Sequence, residues 1–261
     1  MAMQSRTTAT DGAPAGALLL SPWAGLILAW IAGGITWGLI QATHPVFHVP
    51  EQYHAAMGAG EAAFAANRRA QDQVERGHAM LYVGSLGFLI GGVLAAREAS
   101  LRRSLVPLIA APLGALGGVL GGFLGCLVHE YVRREVGQAE LTHTIAAQSL
   151  LAVPLGLGVG LGLGLATRTA SGTIKTALGG IVAGALAGTI YPVAVSMVIP
   201  TASTDNLLPE ERATRLFWLA LICGVIGLVI PTAARKRKQQ AVASVPNESP
   251  ATRAKEHRPE A

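Results

Sequence analysis

The amino-acid sequence predicts an all-α fold, a polytopic bundle of six transmembrane helices, and three observations lead to this class. Of its 261 residues, 51% are apolar and only 13% are charged, whereas soluble domains carry about 25% charged residues. Six apolar stretches, each of about 17 to 25 residues, follow one another along the chain. The third observation is the glycine content of 32 residues, many of them at helical spacing inside these stretches.

The composition also excludes several classes of protein. The apolar content excludes an intrinsically disordered chain, and two cysteines exclude a disulfide-stapled secreted module. The net charge of +5 does not indicate nucleic-acid binding, because no folded basic domain is predicted outside the spans. The predicted partners are therefore the lipid bilayer and either a second copy of the chain or another membrane protein.

The predicted spans are the apolar stretches that contain no internal charge. They cover residues 17–40, 79–96, 105–128, 145–166, 176–199 and 216–233. The second is the shortest, and at about 1.5 Å per residue it would just cross the hydrocarbon core. The first is longer than the apolar region of a signal peptide, which has about 7 to 15 residues, so we expect it to remain as an anchor.

The charges outside the spans predict the orientation. Six spans place both termini on one side, and that side holds 13 of the 20 Lys and Arg residues, while the other holds 10 of the 15 acidic residues. The positive-inside rule then predicts that both termini lie in the cytoplasm. The excess of Arg over Lys and the Ala- and Gly-rich composition favour a bacterial plasma membrane.

The segments outside the spans are short. Residues 1–16 and 234–261 are predicted to be disordered tails, the second of them basic, on either side of a membrane domain over 17–233. The one sizeable outer loop, 41–78, is Ala-rich after Pro50, which predicts a helix. Its residues Tyr53, Met57 and Phe64 would share one face, which either packs on the bundle or lies on the membrane surface.

Glycines at every fourth position predict the helix-packing faces of the third, fourth and fifth spans. Because lipid is as apolar as leucine, membrane helices associate where small residues let their backbones come close. The predicted zipper residues are Gly114, Gly118 and Gly122 with the adjacent row Gly117, Gly121 and Gly125, then Gly156, Gly160 and Gly164, and finally Gly180, Gly184 and Gly188.

The fourth span alternates glycine with larger residues from Gly156 to Gly164, as a strand might. An open strand would leave unpaired backbone groups in lipid, so the prediction is a helix. Gly158 and Gly162 then lie nearly opposite the first row, and the span is predicted to be central, between the third and fifth. The segments ALGGVLGGFLG and ALGGIVAGALAG align at an offset of 62 residues, which indicates either a duplication of spans two and three or shared low complexity.

Polar residues inside the spans are few. None of the predicted spans contains Asp, Glu, Lys or Arg, which argues against an ion-coupled pump. Gln148 lies one turn into a span and is predicted to bond a neighbouring helix. Trp30 falls near the middle of the first span, where packing beside Gly33 and Gly34 is expected, with a ligand platform or a lipid-facing ring as alternatives.

Histidines provide the one candidate site. Six of the seven lie in outer loops or at outer ends of spans. His44, His48 and His54 occur with Glu51 in the segment THPVFHVPEQYH, and nitrogen and carboxylate ligands at such spacing could bind a divalent transition metal. His78, His129 and Glu130 would converge on the same region. The alternative is that these histidines are ordinary interfacial residues, since no HExxH or CxxC motif is present.

No catalytic residue and no cofactor is predicted. Cys126 and Cys223 both fall within spans, and the sequence has no Walker A loop, no GxSxG motif and no paired carboxylates in a span. We therefore expect a non-enzymatic structural or partner-binding membrane component. The alternative is a small permease for a divalent metal ion or small solute, with an outward-facing, histidine-lined entrance.

One resemblance concerns the layout of the chain. Small spans, a histidine-bearing first outer loop and the segment LPEERATRLFW before the last span give a layout similar to that of the small permease proteins of cobalt transporters. The similarity includes no motif, so no residue takes a role from that family.

Overall fold

The computed structural model describes residues 22–54, 60–100, 106–135, 141–165, 169–199, 206–209 and 211–243. Within these ranges the chain forms six α-helices and one short 3-10 turn, with no strand, so the predicted all-helical six-span fold is confirmed. The helices are α1 (Pro22–Thr43), α2 (Glu61–Ser100), α3 (Val106–Glu135), α4 (Leu141–Leu165), α5 (Ala170–Val198) and α6 (Arg212–Ala243).

Two boundaries differ from the sequence prediction. The second span, predicted to be the shortest, belongs to the longest helix, because α2 has 40 residues and includes the second part of the outer loop. Likewise, α6 continues to Ala243, beyond the predicted end of the last span. In both cases the residues beyond the predicted span have high helix propensity, so the helix continues past the membrane boundary. The predicted tail 1–16 and residues 244–261 lie outside the described part of the chain.

The predicted apolar face of the outer loop does not form as one stripe. Tyr53 belongs to the 3-10 turn Glu51–Tyr53, Phe64 lies in α2, and Met57 lies outside the described residues. The Phe64 side chain is 51% exposed, and the choice between packing on the bundle and lying on the membrane surface stays a prediction.

The six helices form a ring in chain order. Each helix contacts the next along the chain, α6 returns to α1, and α2 also contacts α4 across the ring. The most extensive contacts join α2 to α3, α3 to α4 and α4 to α5. The fourth helix therefore lies between the third and the fifth, which is the position that its two rows of glycine predict, and it is the most buried of the six.

Backbones meet at the glycines of α2 to α5. A Cβ atom placed on Gly118 would lie 2.6 Å from the carbonyl carbon of Val83 and 2.9 Å from the Cα of Gly84. Where α3 crosses α4, a Cβ on Gly117 or on Gly158 would lie 3.0 Å from the Cα of the other glycine. Atoms do not pack this closely, so these positions have no room for a side chain.

Each predicted packing glycine faces a neighbouring helix. In α3, Gly114, Gly118 and Gly122 face α2, while Gly117, Gly121 and Gly125 face α4; in α4, Gly156, Gly160 and Gly164 face α5; in α5, Gly180, Gly184 and Gly188 face α4. Gly158 and Gly162 face α3 from the other side of α4. The contribution of this zipper to the stability of the bundle stays a prediction.

The two glycine-rich hairpins cross in similar ways. Gly87 opposes Gly114 where α2 crosses α3, and Gly156 opposes Gly180 where α4 crosses α5. Gly114 and Gly180, which occupy the two crossings, are 66 positions apart. The aligned sequence segments are offset by 62 residues, about one helical turn less. The similar segments therefore do not occupy equivalent places at the two crossings, and a duplication stays a prediction.

Large aliphatic side chains fill the interior of the ring. They project from α2, α4 and α6 and are at most 1% exposed: Leu86, Ile90, Leu94, Leu151, Leu155, Val159, Ile222, Ile226 and Ile230. All belong to one continuous apolar cluster. These side chains occupy the middle of the bundle and pack against one another there.

Trp30 lies in the contact between α1 and α6. Its indole Nε1 donates a hydrogen bond to the carbonyl oxygen of Ala220 at 2.9 Å, while the ring is 50% exposed. Of its two predicted glycine neighbours, Gly33 faces Cys223 of α6, and Gly34 faces open space. Trp30 thus combines a helix-packing role with a surface that faces lipid.

We predict that Gly118→Leu destabilises the bundle and that Gly38→Leu does not. A side chain at position 118 must separate α3 from α2, at a cost of about 1–3 kcal/mol or more, whereas a Cβ at position 38 meets no atom within 4 Å. Thermal unfolding of both variants in the same detergent measures the difference. Equal melting temperatures would contradict a packing role for the α3 glycines.

Candidate binding cavity

Six histidines lie at one end of the bundle, which we call the histidine-rich end. They are His44, His48, His54, His78, His129 and His143. At this end α1 and α3 finish, α4 and α6 begin, and α2 continues beyond the ring. The clustering agrees with the topology predicted from the sequence, in which all six lie on the outer side.

A cavity of about 500 Å³ opens at the histidine-rich end. Helix α2 supplies one wall through Gln71, Val74, Glu75, His78 and Tyr82, which fall on one helical face because they are three or four residues apart. The remaining walls come from the end of α1, the segment after it, Arg133 of α3, the loop before α6, and α6 itself. Apolar and polar side chains alternate around the cavity.

A buried hydrogen-bond network lies beneath the cavity. The Gln148 amide donates to the carbonyl oxygen of Leu207 at 2.6 Å and accepts from the indole Nε1 of Trp218 at 3.0 Å. Gln148 is 1% exposed, and its interhelical partner confirms the role predicted for it. The Leu207 side chain comes close to Gly125 of α3, so the loop before α6 is inserted between helices and helps to close the floor.

The segment after α1 covers one side of the cavity. We call residues 44–50 the strap. His44 Nδ1 lies 3.1 Å from the Tyr82 hydroxyl, and the backbone N–H of Phe47 donates to His78 Nε2 at 3.0 Å. The His78 ring also contacts the rings of His44 and Phe47 of the strap, at centroid distances of 5.1 and 5.3 Å. Two hydrogen bonds and ring contacts therefore hold the strap against α2.

Ion pairs join α2 to α3 next to the cavity. Arg76 binds both carboxylate oxygens of Glu130, at 2.6 and 2.7 Å. Arg133 and Arg134 both pair with Asp72, the second at 2.7 Å. Asp72 is 3% exposed, although its partners are half-exposed. No sequence pattern predicts these pairs, since their members are far apart in the chain and only the α2–α3 crossing brings them together.

The predicted convergence of His78, His129 and Glu130 is wrong. His78 accepts a hydrogen bond from the strap, and Glu130 pairs with Arg76. His129 faces Glu75, with 3.8 Å between its Nε2 and the carboxylate Oε1. These side chains point to different partners because they leave α2 and α3 at different angles.

The four residues predicted as metal ligands do not assemble into a metal site. Among the described residues, no group of three or more His, Cys, Asp and Glu side chains is placed to hold a metal ion. His44 contacts Tyr82, and His54 Nε2 lies 3.2 Å from the carbonyl oxygen of Val49. His48 is exposed, and Glu51 begins the 3-10 turn after Pro50. The turn sends these side chains in different directions.

No protein-family model, no curated protein and no solved structure matches this chain. The similarity in layout to the small permease proteins of cobalt transporters therefore has no support from these comparisons. The class of the protein follows from its helices. Six of those described are long and apolar enough to cross a membrane, which makes this an integral, multi-pass membrane protein.

We predict that Gln148→Leu lowers the stability of the bundle by about 1–3 kcal/mol, because the Trp218 indole and the Leu207 carbonyl lose their partner in a buried place. Thermal unfolding monitored by circular dichroism measures the effect. Ser85→Ala is the matched control, since the Ser85 hydroxyl bonds the carbonyl oxygen of Leu81 in its own helix. If both variants unfold at the same temperature, the network is not a significant source of stability.

We also predict that Asp72→Asn destabilises the protein by about 1–3 kcal/mol, between the values typical of exposed and of buried ion pairs. The substitution leaves two guanidinium groups beside a neutral amide. Thermal unfolding at low and high salt measures both the loss and its screening. The control is Glu61→Gln in the exposed first turn of α2, and an equal effect there would mean that the α2–α3 cluster contributes nothing specific.

Proposed function

We propose that the protein is a non-enzymatic membrane component that binds a small amphipathic ligand in the cavity at its histidine-rich end. The observation that carries the proposal is a cavity of about 500 Å³ next to a continuous cluster of buried apolar side chains. Its volume lies within the range of small-molecule sites, about 300 to 1,000 Å³. The closely packed helices provide a rigid frame for it.

The chemistry of the walls supports an amphipathic ligand. Val49, Val74 and Leu208 offer apolar surface, while Gln71 offers an amide donor and acceptor. Apolar walls with a few convergent polar groups are typical of sites that bind organic molecules. The proposal therefore concerns an organic ligand with both an apolar and a hydrogen-bonding part.

The bonds of the ionisable groups around the cavity favour binding over catalysis. Arg133 pairs with Asp72 and contacts Glu75 at 3.5 Å. His78 accepts the Phe47 N–H, and His44 contacts Tyr82. Groups that hold the walls together in this way support a structural role, whereas a nucleophile and its base need to face the bound substrate.

The core favours binding over transport. A permease needs a polar path that reaches the middle of the membrane. Directly below Tyr82 and Trp218, the interior is occupied by buried aliphatic side chains such as Leu86 and Ile222. With both termini in the cytoplasm, as the charge distribution predicts, and in a bacterium, as the composition predicts, the cavity would open to the outside of the plasma membrane.

Filling the cavity tests this proposal. Val74→Trp places an indole within it, and Leu116→Trp adds the same ring on the surface of α3, where Leu116 is 64% exposed. Thermal unfolding with a library of small amphipathic compounds should identify compounds that stabilise the wild type and Leu116→Trp by several degrees, with no effect on Val74→Trp. The proposal is wrong if no compound distinguishes the wild type from Val74→Trp.

A further inference from the structure

We propose that the strap is an acid-sensitive cover of the cavity, held closed by the hydrogen bond from the Phe47 N–H to His78 Nε2 and released when His78 accepts a proton on that nitrogen. The strap forms part of the cavity wall, since His44 and Val49 both line it. Its release would open that wall at acid pH. This inference concerns movement of the strap and does not require that a ligand binds.

The direction of the hydrogen bond makes the closed strap depend on a neutral ring. Phe47 contributes a backbone N–H, which can only donate, so His78 Nε2 must accept with its lone pair. A proton on Nε2 would occupy that lone pair and turn two N–H groups toward each other. His78 therefore binds a proton more tightly when the strap is open than when it is closed. Lower pH must then shift the population toward the open form.

Two further polar contacts of the strap do not share this dependence. His44 Nδ1 lies 3.1 Å from the Tyr82 hydroxyl, and a hydroxyl can either donate or accept, so this contact survives protonation of His44. His54 Nε2 lies 3.2 Å from the Val49 carbonyl oxygen, which needs an N–H donor and is compatible with either charge state. The Phe47–His78 bond is therefore the acid-sensitive member of this set.

The charges around His78 favour release after protonation. The groups that face it are His44 and His48 from the strap, Tyr82 and Glu75 from α2, Arg133 from α3 and Arg215 from α6. Arg215 is permanently cationic, and charge on His44 or His48 of the strap likewise disfavours charge on His78. The carboxylate of Glu75 already contacts Arg133 and faces His129. A proton on His78 thus adds repulsion between the strap and α2.

The strap is also loosely attached elsewhere. The Phe47 ring packs on Gly77, where an added Cβ would lie 3.0 Å from the ring, yet Phe47 is 41% exposed and Val46 is 39% exposed. Both apolar side chains are thus only partly buried, so the loss of the Phe47–His78 hydrogen bond removes one of a small number of contacts that hold the strap.

Cysteine reactivity can measure strap opening directly. Both native cysteines, Cys126 and Cys223, are buried, so a single new thiol reports on its own position. Val49→Cys places the reporter on the cavity side of the strap, and Val46→Cys is the matched control at an exposed position of the same segment. The reagent is dithiodipyridine, which reacts with thiols at acid pH. The ratio of the two labelling rates cancels the effect of pH on thiol reactivity itself.

We expect this ratio to rise at least about fivefold between pH 8 and pH 4.5, a range that includes the ordinary titration of histidine. In the His78→Gln background, the amide oxygen can accept the Phe47 N–H at every pH, so the ratio should stay low and constant. In the His78→Phe background no acceptor is present, and the ratio should be high at every pH.

A constant ratio in the wild-type background down to pH 4.5 would overturn the inference, as would an equal rise in the His78→Gln background. The result is independent of the ligand-binding test. A strap that opens in acid while no compound stabilises the wild type would leave this inference standing and would contradict the proposed function alone.

Discussion

Close contact between helix backbones is the constraint on which the rest of this structure depends. In a lipid environment every backbone N–H and C=O must be paired within its own helix, and no hydrophobic force draws apolar helices together. Helices then associate where their surfaces approach each other most closely. Gly118 against Val83, and Gly117 against Gly158, provide this approach because they have no side chain.

The crossings of α2, α3 and α4 determine what happens at the histidine-rich end. Because α2 and α3 are in backbone contact within the span, their extensions beyond it remain side by side. Asp72 of one helix thereby reaches Arg133 and Arg134 of the other. The glycine rows finish near this end, and the cavity lies beside the extension of α2, between that helix, the end of α1 and the start of α6.

The cavity and its strap lie next to the apolar interior of the ring. Within the span, Leu86, Leu155 and Ile226 fill the interior of the ring. Above them, the rings of Tyr82, His78 and Trp218 each carry a polar atom that needs a partner. The strap bonds Tyr82 and His78, and Gln148 bonds Trp218. Gln148 in turn bonds the loop at Leu207. The proposed function, binding at this surface and not transport through the centre, rests on this arrangement of a polar, strap-covered cavity next to an apolar core.

Much of the fold could be predicted because it rests on local patterns. Apolar length located all six spans, glycine spacing placed the fourth helix between its neighbours, and the mid-span amide of Gln148 predicted an interhelical bond that the structure contains. The predicted ends were less accurate, since α2 and α6 extend beyond the membrane boundary where hydropathy no longer reports on helix formation.

The candidate site was not predictable in the same way. Short spacing between His44, His48, Glu51 and His54 suggested a metal site, but the strap and the 3-10 turn separate these side chains. Partners such as Phe47 and His78, or Asp72 and Arg133, are distant in the chain and meet only after the helices pack. The sequence by itself determined the number, order and contact faces of the helices, because each depends on residues within one helix. The tertiary structure alone decided which polar groups pair at the histidine-rich end, because that pairing depends on the relative positions of helices far apart in the chain.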